Sequence, residues 1–487
     1  MNKIRQLINK KLPAGSFTRN VVTLMTGTTF SQALLILVAP ILTRLYSPED
    51  FGVYSLYTAI FGILAVVACW RYELTIVLPE KNEESSNLLA LSILICFFMA
   101  IVTLIMVALF SFPVANLLGA PELSLWLWFM PISVLTVGLF QALNYWSTRR
   151  KQFKRLAVRR ITQNTVTAIT QIGIGIVYYY GPMGLIIGDI IGRITATARL
   201  GMKIWKDEGK EIISAITVDN LKARLLEYKQ FPIFSTWAAL LNTIANMLPV
   251  LMLGYFFNSA VVGFFELGHR LLALPLNLIG ESIAQVFFPK ATEIHRNDSI
   301  TEYSLKMYSV LLYIGIIPIL FLMVVAPELF SLFFGSQWLV AGEYARWLGP
   351  WLIFQLSSSP ISMLYSVLNK QSLYLIFSVI LLIMRLLALF IGGLLNSPLY
   401  AIILLGLSGA VVYFINAIFL LKMAGNNLKS ILKATVKPFA LVFPFLVPTI
   451  GFKWFLPYSS WSILICAISF IACVIVLGLP KKRILCN

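Results

Sequence analysis

Residues 88–110 read LLALSILICFFMAIVTLIMVALF, a stretch of 23 residues without a charged side chain. About 20 apolar residues in a helix cross the hydrocarbon core of a bilayer, so this stretch predicts a membrane span. Similar stretches recur along the whole chain, and each of them predicts another span. We place fourteen spans near 20–43, 51–70, 88–110, 125–147, 161–180, 183–205, 231–257, 261–288, 307–325, 346–367, 373–395, 399–421, 438–456 and 460–479.

The composition is typical of a membrane protein. Hydrophobic residues make up 59% of it and charged residues only 12%. A water-soluble fold could not bury that much apolar surface. We therefore predict an all-α polytopic membrane protein with about fourteen transmembrane helices.

The basic residues fall almost entirely on one side of the predicted spans. With a cytoplasmic N-terminus, 30 of the 38 Lys and Arg residues lie in cytoplasmic loops and tails. Only Arg44, Arg346 and Lys453 lie on the opposite side. Cytoplasmic loops of membrane proteins carry such an excess, so both termini are predicted to be cytoplasmic. The net charge of +18 then reflects topology and does not indicate a nucleic-acid partner.

Motifs of several functional classes are absent from the sequence. No GxxxxGK[ST] phosphate loop occurs, which argues against an ATP-driven pump in one chain. The two histidines are 26 residues apart and no Cys/His cluster occurs, so no metal site is predicted. The five cysteines lie in spans or in the C-terminal tail and suggest no disulfide framework.

The longest predicted cytoplasmic connector lies between spans six and seven and divides the chain. It reads KDEGKEIISAITVDNLKARLLEYK and is expected to be helical. We predict two six-helix lobes followed by two additional helices. The predicted domains are 1–205 (N-terminal lobe), 206–230 (cytoplasmic linker), 231–421 (C-terminal lobe) and 422–487 (two further helices and tail).

An internal similarity supports this division. Residues 46–56 read YSPEDFGVYSL and residues 257–267 read FNSAVVGFFEL, and they align without gaps through Gly52 and Gly263. Each segment follows a span with a proline near its outer end. Chance similarity of two turn-flanked helices is the alternative. Parallel repeats of this kind occur in alternating-access transporters, so we expect a pseudo-twofold axis along the membrane normal.

Span eight carries polar groups through the membrane on one face. At 100° per residue, Glu266, Arg270, Asn277 and Glu281 lie within about 60° of one another, and Gln285 follows at about 100°. A charge at the bilayer centre costs about 2.5–3.5 kcal/mol, so such a face must meet protein or water. A pair that merely neutralises itself, Glu266 with Arg270, is the structural alternative.

Other spans also contain buried charge. Span six has Asp189 and Arg193 at i,i+4 spacing, and span eleven has Arg385 near its middle with no acidic residue on its own helix. An Arg in that position needs a carboxylate from elsewhere or an anionic ligand. Arg71 and Glu73 close span two at its cytoplasmic end, where Arg71 could simply extend to the interface.

Four segments of the chain indicate a family. They are LTRLYSPEDFGVYSLYTAIFGIL (42–64), RYELTIVLP (71–79), RLLALPLNLIGESIAQVFFPKATE (270–293) and LFFGSQWLVAGEYAR (332–346). These segments resemble bacterial polysaccharide flippases of the multidrug/oligosaccharidyl-lipid/polysaccharide transporter superfamily. The resemblance implies two lobes around a central cavity in a bacterial inner membrane. It also implies an undecaprenyl-diphosphate-linked oligosaccharide as substrate, as in O-antigen, capsule or exopolysaccharide assembly.

A cationic cavity suits a diphosphate, and amides suit the hydroxyl groups of sugars. The expected partners are the lipid-linked oligosaccharide, membrane lipids and a polymerase of the same pathway. No cofactor is expected beyond coupling to H⁺ or Na⁺. The candidates for substrate binding are Arg270, Arg385, Arg193, Arg71, Asn277 and Gln285, and those for ion coupling are Glu266, Glu281 and Asp189.

Three other functional classes remain open from the sequence. A multidrug cation antiporter should favour an acidic cavity, whereas Arg385 is basic. A membrane-embedded polymerase or ligase would be an enzyme and should need a sizeable outer loop, yet the predicted outer loops are short. A structural scaffold would have little use for charges inside the membrane. The sequence therefore favours a transporter without enzymatic activity.

Overall fold

The computed structural model describes residues 34–178, 181–295, 300–455 and 460–477, and within these ranges it is helical without a β-strand. Before the predicted linker lie α1 (Leu34–Leu45), α2 (Pro48–Val67), α3 (Asn82–Leu117), α4 (Met130–Arg149), α5 (Phe153–Val177) and α6 (Met183–Ala215). The linker contains α7 (Val218–Glu227). After it come α8 (Thr236–Phe256), α9 (Ser259–His295), α10 (Ile300–Phe334), α11 (Leu339–Ser358), α12 (Gln371–Leu394), α13 (Pro398–Met423), α14 (Leu428–Phe455) and α15 (Ser460–Leu477).

The chain is a multi-pass membrane protein. In the part of the chain that the structure describes, 7 helices are long and apolar enough to cross a membrane, namely α2, α3, α8, α10, α12, α13 and α14. Helices α1 and α15 are apolar but shorter there. Each of the fourteen predicted spans overlaps a helix. The count of fourteen crossings and the twofold relation of two lobes stay predictions.

The chain folds as two compact units, which we call the N-terminal unit (residues 1–262) and the C-terminal unit (residues 263–487). Helix α8 belongs to the N-terminal unit, where it packs against α2. Met247 of α8 lies beside Gly62, and Leu56 of α2 lies beside Gly254. The predicted domains, which end at residues 205, 230 and 421, describe two lobes related by internal symmetry. This division stays a proposal.

The two similar segments each begin a helix with a side-chain cap. The Ser47 amide donates to Asp50 Oδ2 at 2.9 Å, and the Asp50 amide donates to Ser47 Oγ at 3.2 Å. This reciprocal capping box satisfies amides that have no partner inside the helix. At the aligned position, Asn258 Oδ1 accepts from the Val261 amide at 3.0 Å. The second residue of both segments is therefore a helix N-cap.

Three glycines on α6 hold α5 and α6 close together. Gly184, Gly188 and Gly192 recur at four-residue spacing and so share one face of the helix. A Cβ atom at Gly188 would lie 2.5 Å from Gln171 Cγ, and one at Gly192 would lie 2.9 Å from the carbonyl oxygen of Gln163. Small residues at this spacing let membrane helices approach backbone to backbone. We call this contact the glycine seam.

The carboxylate of Glu208, near the C-terminal end of α6, joins three helices. Trp146 Nε1 of α4 donates to it at 2.8 Å, and Arg155 Nη1 of α5 donates at 2.8 Å. Arg150 Nε lies 3.0 Å from the same carboxylate. Hydrogen bonds to charged groups are worth about 1.5–3 kcal/mol each. Glu208 thus fixes the ends of α4 and α5 to α6.

Replacing Glu208 by glutamine should lower the free energy of unfolding by about 1–3 kcal/mol, because two arginines lose a charged acceptor. Glu227→Gln is the matched control, since Glu227 is 46% exposed and its ion pair with Arg224 is an i,i+3 pair within α7. Thermal unfolding and limited proteolysis of the purified protein would measure the effect. Equal stability and equal cleavage of the two variants would contradict it.

The linker is fixed to the N-terminal unit through its backbone. Asn87 of α3 donates through Nδ2 to the Ala215 carbonyl at 2.8 Å and accepts from the Thr217 amide at 3.1 Å. The Tyr72 hydroxyl donates to the Leu225 carbonyl at 2.9 Å. The expected helical linker therefore packs against the N-terminal end of α3.

In the C-terminal unit the two basic residues predicted for the outer side form ion pairs. Lys453 Nζ lies 2.7 Å from Glu328 Oε1, and Arg346 Nη1 lies 3.0 Å from Glu343 Oε2. The first pair joins α10 to α14, whereas the second lies within α11, from which Arg346 Nε also donates to the Met323 carbonyl of α10 at 2.9 Å. Pairing accounts for these two cations without a ligand.

Candidate functional site

An ion pair lies within α6 of the N-terminal unit. Arg193 donates to Asp189 Oδ2 from Nη2 at 2.6 Å and from Nε at 2.8 Å. Asp189 is only 6% exposed. The Arg193 guanidinium also covers the ring of Phe61 on α2, with Cζ 3.9 Å from the ring centroid. The pairing that the i,i+4 spacing predicted is present, and an aromatic face adds to it.

Polar groups from α2 and α4 surround this pair. The hydroxyls of Tyr57 and Ser133 are 2.7 Å apart, and Tyr57 is 1% exposed. Tyr57 also lies close enough to Asp189 and Arg193 to interact with the charges of both. The buried polar groups of α2, α4 and α6 therefore meet in one place inside the N-terminal unit.

Arg159 is a member of this site that the sequence analysis missed, because it was counted in a cytoplasmic loop. Helix α5 begins at Phe153, eight residues before the predicted span of 161–180, so Arg155 and Arg159 lie on its first turns. Two basic residues of these first turns contact side chains of other helices. Arg155 pairs with Asp207 at 2.8 Å, and Arg159 lies over Phe140 with Cζ 3.4 Å from the ring centroid.

Arg159 changes the charge balance of the site. It lies within electrostatic range of both Arg193 and Asp189. Of these three groups, two are cations and one is an anion, so their sum is positive. We call Arg159, Asp189 and Arg193, with their aromatic partners Phe61 and Phe140, the N-terminal arginine cluster. Its chemistry suits an anion more than a cation.

Arg71 is placed in a different setting. It follows α2 in the left-handed conformation, with φ of 64°, and precedes a short 3-10 helix. Its Nη1 atom lies 3.7 Å from Glu73 Oε1, and the Glu73 side chain is only 2% exposed. The ion pair accounts for Arg71 locally, and its predicted role in substrate binding rests on the sequence alone.

The C-terminal unit contains a stack of rings that ends in a cation. Phe265 and His269 of α9 stack at 5.5 Å, and His269 stacks on Trp351 of α11 at 5.3 Å. Arg385 of α12 lies over the same indole, with Cζ 5.0 Å from the Trp351 centroid. Arg385 is 7% exposed. We call these four residues the C-terminal aromatic column.

A glycine on α13 makes room for the column. A Cβ atom at Gly409 would lie 2.7 Å from Trp351 Cγ, so a larger residue would displace the indole. One turn further, Tyr413 lies within electrostatic range of Arg385. Helices α9, α11, α12 and α13 thus converge on one buried guanidinium.

The structure describes the side chains of only the first two residues, Glu266 and Arg270, of the polar face predicted for span eight. Helix α9 is continuous from Ser259 to His295, and Glu266 lies within electrostatic range of Arg270. Both side chains are half-buried. The side chains of Asn277, Glu281 and Gln285 lie outside the described residues. That Arg270 and Arg385 face one cavity therefore stays a prediction.

Known proteins are similar over much of the chain. Residues 41–343 match the sequence profile of a family described as "Polysaccharide biosynthesis protein". The succinoglycan biosynthesis transport protein ExoT of Rhizobium meliloti is 23% identical over 335 residues, which cover 67% of this chain and 64% of ExoT, slightly less than two thirds of it. A membrane protein encoded in the cps region of Klebsiella pneumoniae is 22% identical over 84% of this chain and 83% of its own length.

Solved structures show the same fold at low sequence identity. The lipid II flippase MurJ, in an inward closed conformation, superposes with a TM-score of 0.69 at 15% identity and covers 94% of this chain and 98% of its own. An inward-facing multidrug transporter of the MATE family, in the MOP superfamily, has a TM-score of 0.58 at 14% identity, with coverage of 81% and 94%. At such identity the likeness concerns the fold alone.

Proposed function

Because this chain belongs to the polysaccharide biosynthesis protein family, we propose that it is a flippase for lipid-linked oligosaccharide. It moves an undecaprenyl-diphosphate-linked glycan from the cytoplasmic to the periplasmic leaflet of a bacterial inner membrane by alternating access. The MurJ-like fold and the transport assigned to ExoT support this proposal.

The single observation that carries the proposal is the burial of Arg385 over Trp351. Arg385 is 7% exposed in the middle of α12, whose other buried residues are Ala388, Leu389, Gly392 and Gly393. A cation kept at such depth costs about 2.5–3.5 kcal/mol or more, and charged residues of this kind mark substrate pathways. The guanidinium fork fits phosphate oxygens in a bidentate way, so a diphosphate is the ligand that its chemistry suits.

The N-terminal arginine cluster supports the same substrate class from the other unit. Arg193 donates to Asp189, whereas Arg159 adds a second cation that lies over the ring of Phe140. We propose that Arg270, Arg385, Arg193 and Arg71 contribute to binding the diphosphate. Asn277 and Gln285 are proposed to contact the glycan. Glu266, Glu281 and Asp189 are the proposed sites for H⁺ or Na⁺ if transport is ion-coupled.

The membrane potential favours the proposed direction. Moving one charge through 100 mV is worth about 2.3 kcal/mol, and two diphosphate charges leaving a negative interior would gain roughly twice that. The potential alone could bias flipping unless charged groups of the protein move with the substrate. An ion-coupled route and an uncoupled route are both compatible with these energies.

The orientation of the chain follows from its charge distribution. We propose cytoplasmic termini and a cytoplasmic linker, because 30 of 38 Lys and Arg then lie inside. A single cysteine at the exposed Ser336 should react with an impermeant reagent in intact cells, whereas one at the exposed Asn220 should react only after permeabilisation. Four native cysteines are buried, and Cys486 can be replaced by serine. Labelling of Asn220→Cys in intact cells would overturn the orientation.

A multidrug antiporter shares the fold, as the MATE structure shows. Such a transporter needs carboxylates to hold cationic drugs. In the N-terminal unit, however, Asp189 is already neutralised by Arg193. The positive charge of the N-terminal arginine cluster and of Arg385 in the C-terminal aromatic column therefore favours an anionic substrate. We likewise propose that the protein is not a polymerase or ligase.

A deletion strain tests the proposed function. Lipids extracted from it should contain an accumulated undecaprenyl-diphosphate oligosaccharide, and the finished polysaccharide should be missing from the surface. Expressing the wild-type chain should reverse both effects. Loss of polysaccharide without accumulation of a completed lipid-linked unit would instead indicate a role in synthesis and would contradict a flippase.

A further inference from the structure

Helix α7 of the linker touches the rest of the described chain along one side only. None of its residues is buried. Leu221, Arg224 and Tyr228 are half-buried and form that side, where Arg224 Nη1 lies 3.7 Å from Glu84 Oε2 of α3. The remaining circumference of the helix is exposed, so packing within the described residues does not account for its side chains.

The exposed circumference is divided into two chemically different arcs. Val218 and Leu226 are each 66% exposed and Leu225 is 40% exposed. At 100° per residue these three and the exposed Lys222 lie within an arc of about 100°. The exposed Lys229 follows two residues after the end of the helix. The arc therefore presents large apolar side chains with a lysine among them and a second lysine just beyond it.

Exposed polar residues follow on the next part of the circumference. Asp219 lies at the edge of the arc, about 20° beyond Leu226, and Glu227 and Asn220 lie about 180° and 200° from Val218. A helix surrounded by water has no reason to gather its large exposed apolar residues in one arc. Helices that lie in the membrane surface show this arrangement, with lysine chains reaching from the apolar side to the headgroups.

The chain on both sides of the linker places α7 near the membrane surface. Trp205, ten residues before the end of α6, is 64% exposed, as expected for a tryptophan at the lipid interface. After α7, Ile233, Phe234 and Trp237 are 52%, 69% and 60% exposed at the start of the α8 span. Lipid-facing surface thus resumes four residues after Lys229.

We propose that this face of α7 docks on anionic lipid headgroups of the cytoplasmic leaflet. Val218, Leu225 and Leu226 enter the boundary between headgroups and acyl chains, and Lys222 and Lys229 bind lipid phosphates. Each lysine near an anionic surface is favourable, and the apolar residues add the depth of insertion. The inference does not depend on the transported substrate.

Spin labels on the full-length protein test the docking. Leu226→Cys carries the label on the proposed lipid face, and Ala223→Cys, which is also exposed and on the same helix, carries it on the acidic side. Each variant is reconstituted into phosphatidylcholine bilayers with or without phosphatidylglycerol. Access of a water-soluble nickel chelate and of oxygen, which partitions into lipid, is then measured.

With phosphatidylglycerol present, we expect nickel access at position 226 to fall several-fold below that at 223, while oxygen access rises. Adding Lys222→Gln and Lys229→Gln should largely remove the effect of phosphatidylglycerol. Equal nickel access at both positions would overturn the proposal, as would protection at 226 that is independent of lipid charge. Protection that appears only when soluble cytoplasmic protein is added would assign the face to a protein partner and would also overturn it.

Discussion

Replacing Arg385 by alanine is expected to reduce polysaccharide export roughly 10- to 100-fold, the loss that a charge-assisted hydrogen-bonding group produces. The amount of membrane-inserted protein should stay near normal, because truncating this side chain leaves the aromatic stack of Trp351 and His269 in place. Arg385→Lys should restore export only in part, since an ammonium has no bidentate fork. Surface polysaccharide and inserted protein are measured in the same cells.

The matched control is Leu387→Ala on the same helix, where the side chain is 49% exposed. It removes bulk from α12 without touching the column, so export should be unchanged. If Arg385→Ala exports normally, the guanidinium does not bind substrate. If export falls only in proportion to lost protein, Arg385 is structural and the proposed binding role is wrong.

Replacing Gly188 by valine should prevent stable insertion of the protein. Any Cβ there would lie 2.5 Å from Gln171 Cγ and 3.0 Å from the Gln171 backbone nitrogen, and backbone cannot move aside locally. Overpacking costs about 1–3 kcal/mol where side chains can adjust, and more is expected where helix backbones touch. The yield of inserted protein and its melting temperature are the measurements.

Gly173→Val on α5 is the control for helix propensity and size, because a Cβ at Gly173 would meet no atom within 4 Å. This variant should insert and melt like the wild type. Equal behaviour of Gly188→Val and Gly173→Val would show that the glycine seam does not hold α5 against α6. If neither variant inserts stably, the effect comes from placing valine in a helix and not from the contact between α5 and α6.

Features that depend on neighbouring residues were predictable from the sequence. Hydropathy located the helices, because apolar length is a property of a continuous segment. The contact between Asp189 and Arg193 followed from i,i+4 spacing on one helix. The position of His269 against Phe265 has the same local origin, since the two residues are one turn apart.

Features that depend on tertiary packing could not be predicted in this way. Trp351 lies under Arg385 although it is on another helix, and no periodicity relates the two residues. Arg159 was placed in a loop because hydropathy counts a basic residue as a break, whereas Phe140 of α4 supplies an aromatic face for it. The cationic character of the N-terminal site therefore became visible only once α4, α5 and α6 were packed together.

The most direct test of the central claim is a flipping measurement with purified protein. Undecaprenyl-diphosphate oligosaccharide from the deletion strain is incorporated into vesicles, and an impermeant glycan-cleaving reagent reports how much of it is accessible from outside. The flippase account predicts that the wild-type chain makes the inner-leaflet oligosaccharide accessible, whereas Arg385→Ala leaves it largely protected. Accessibility equal to that of protein-free vesicles, with correctly inserted wild-type protein, would contradict the account.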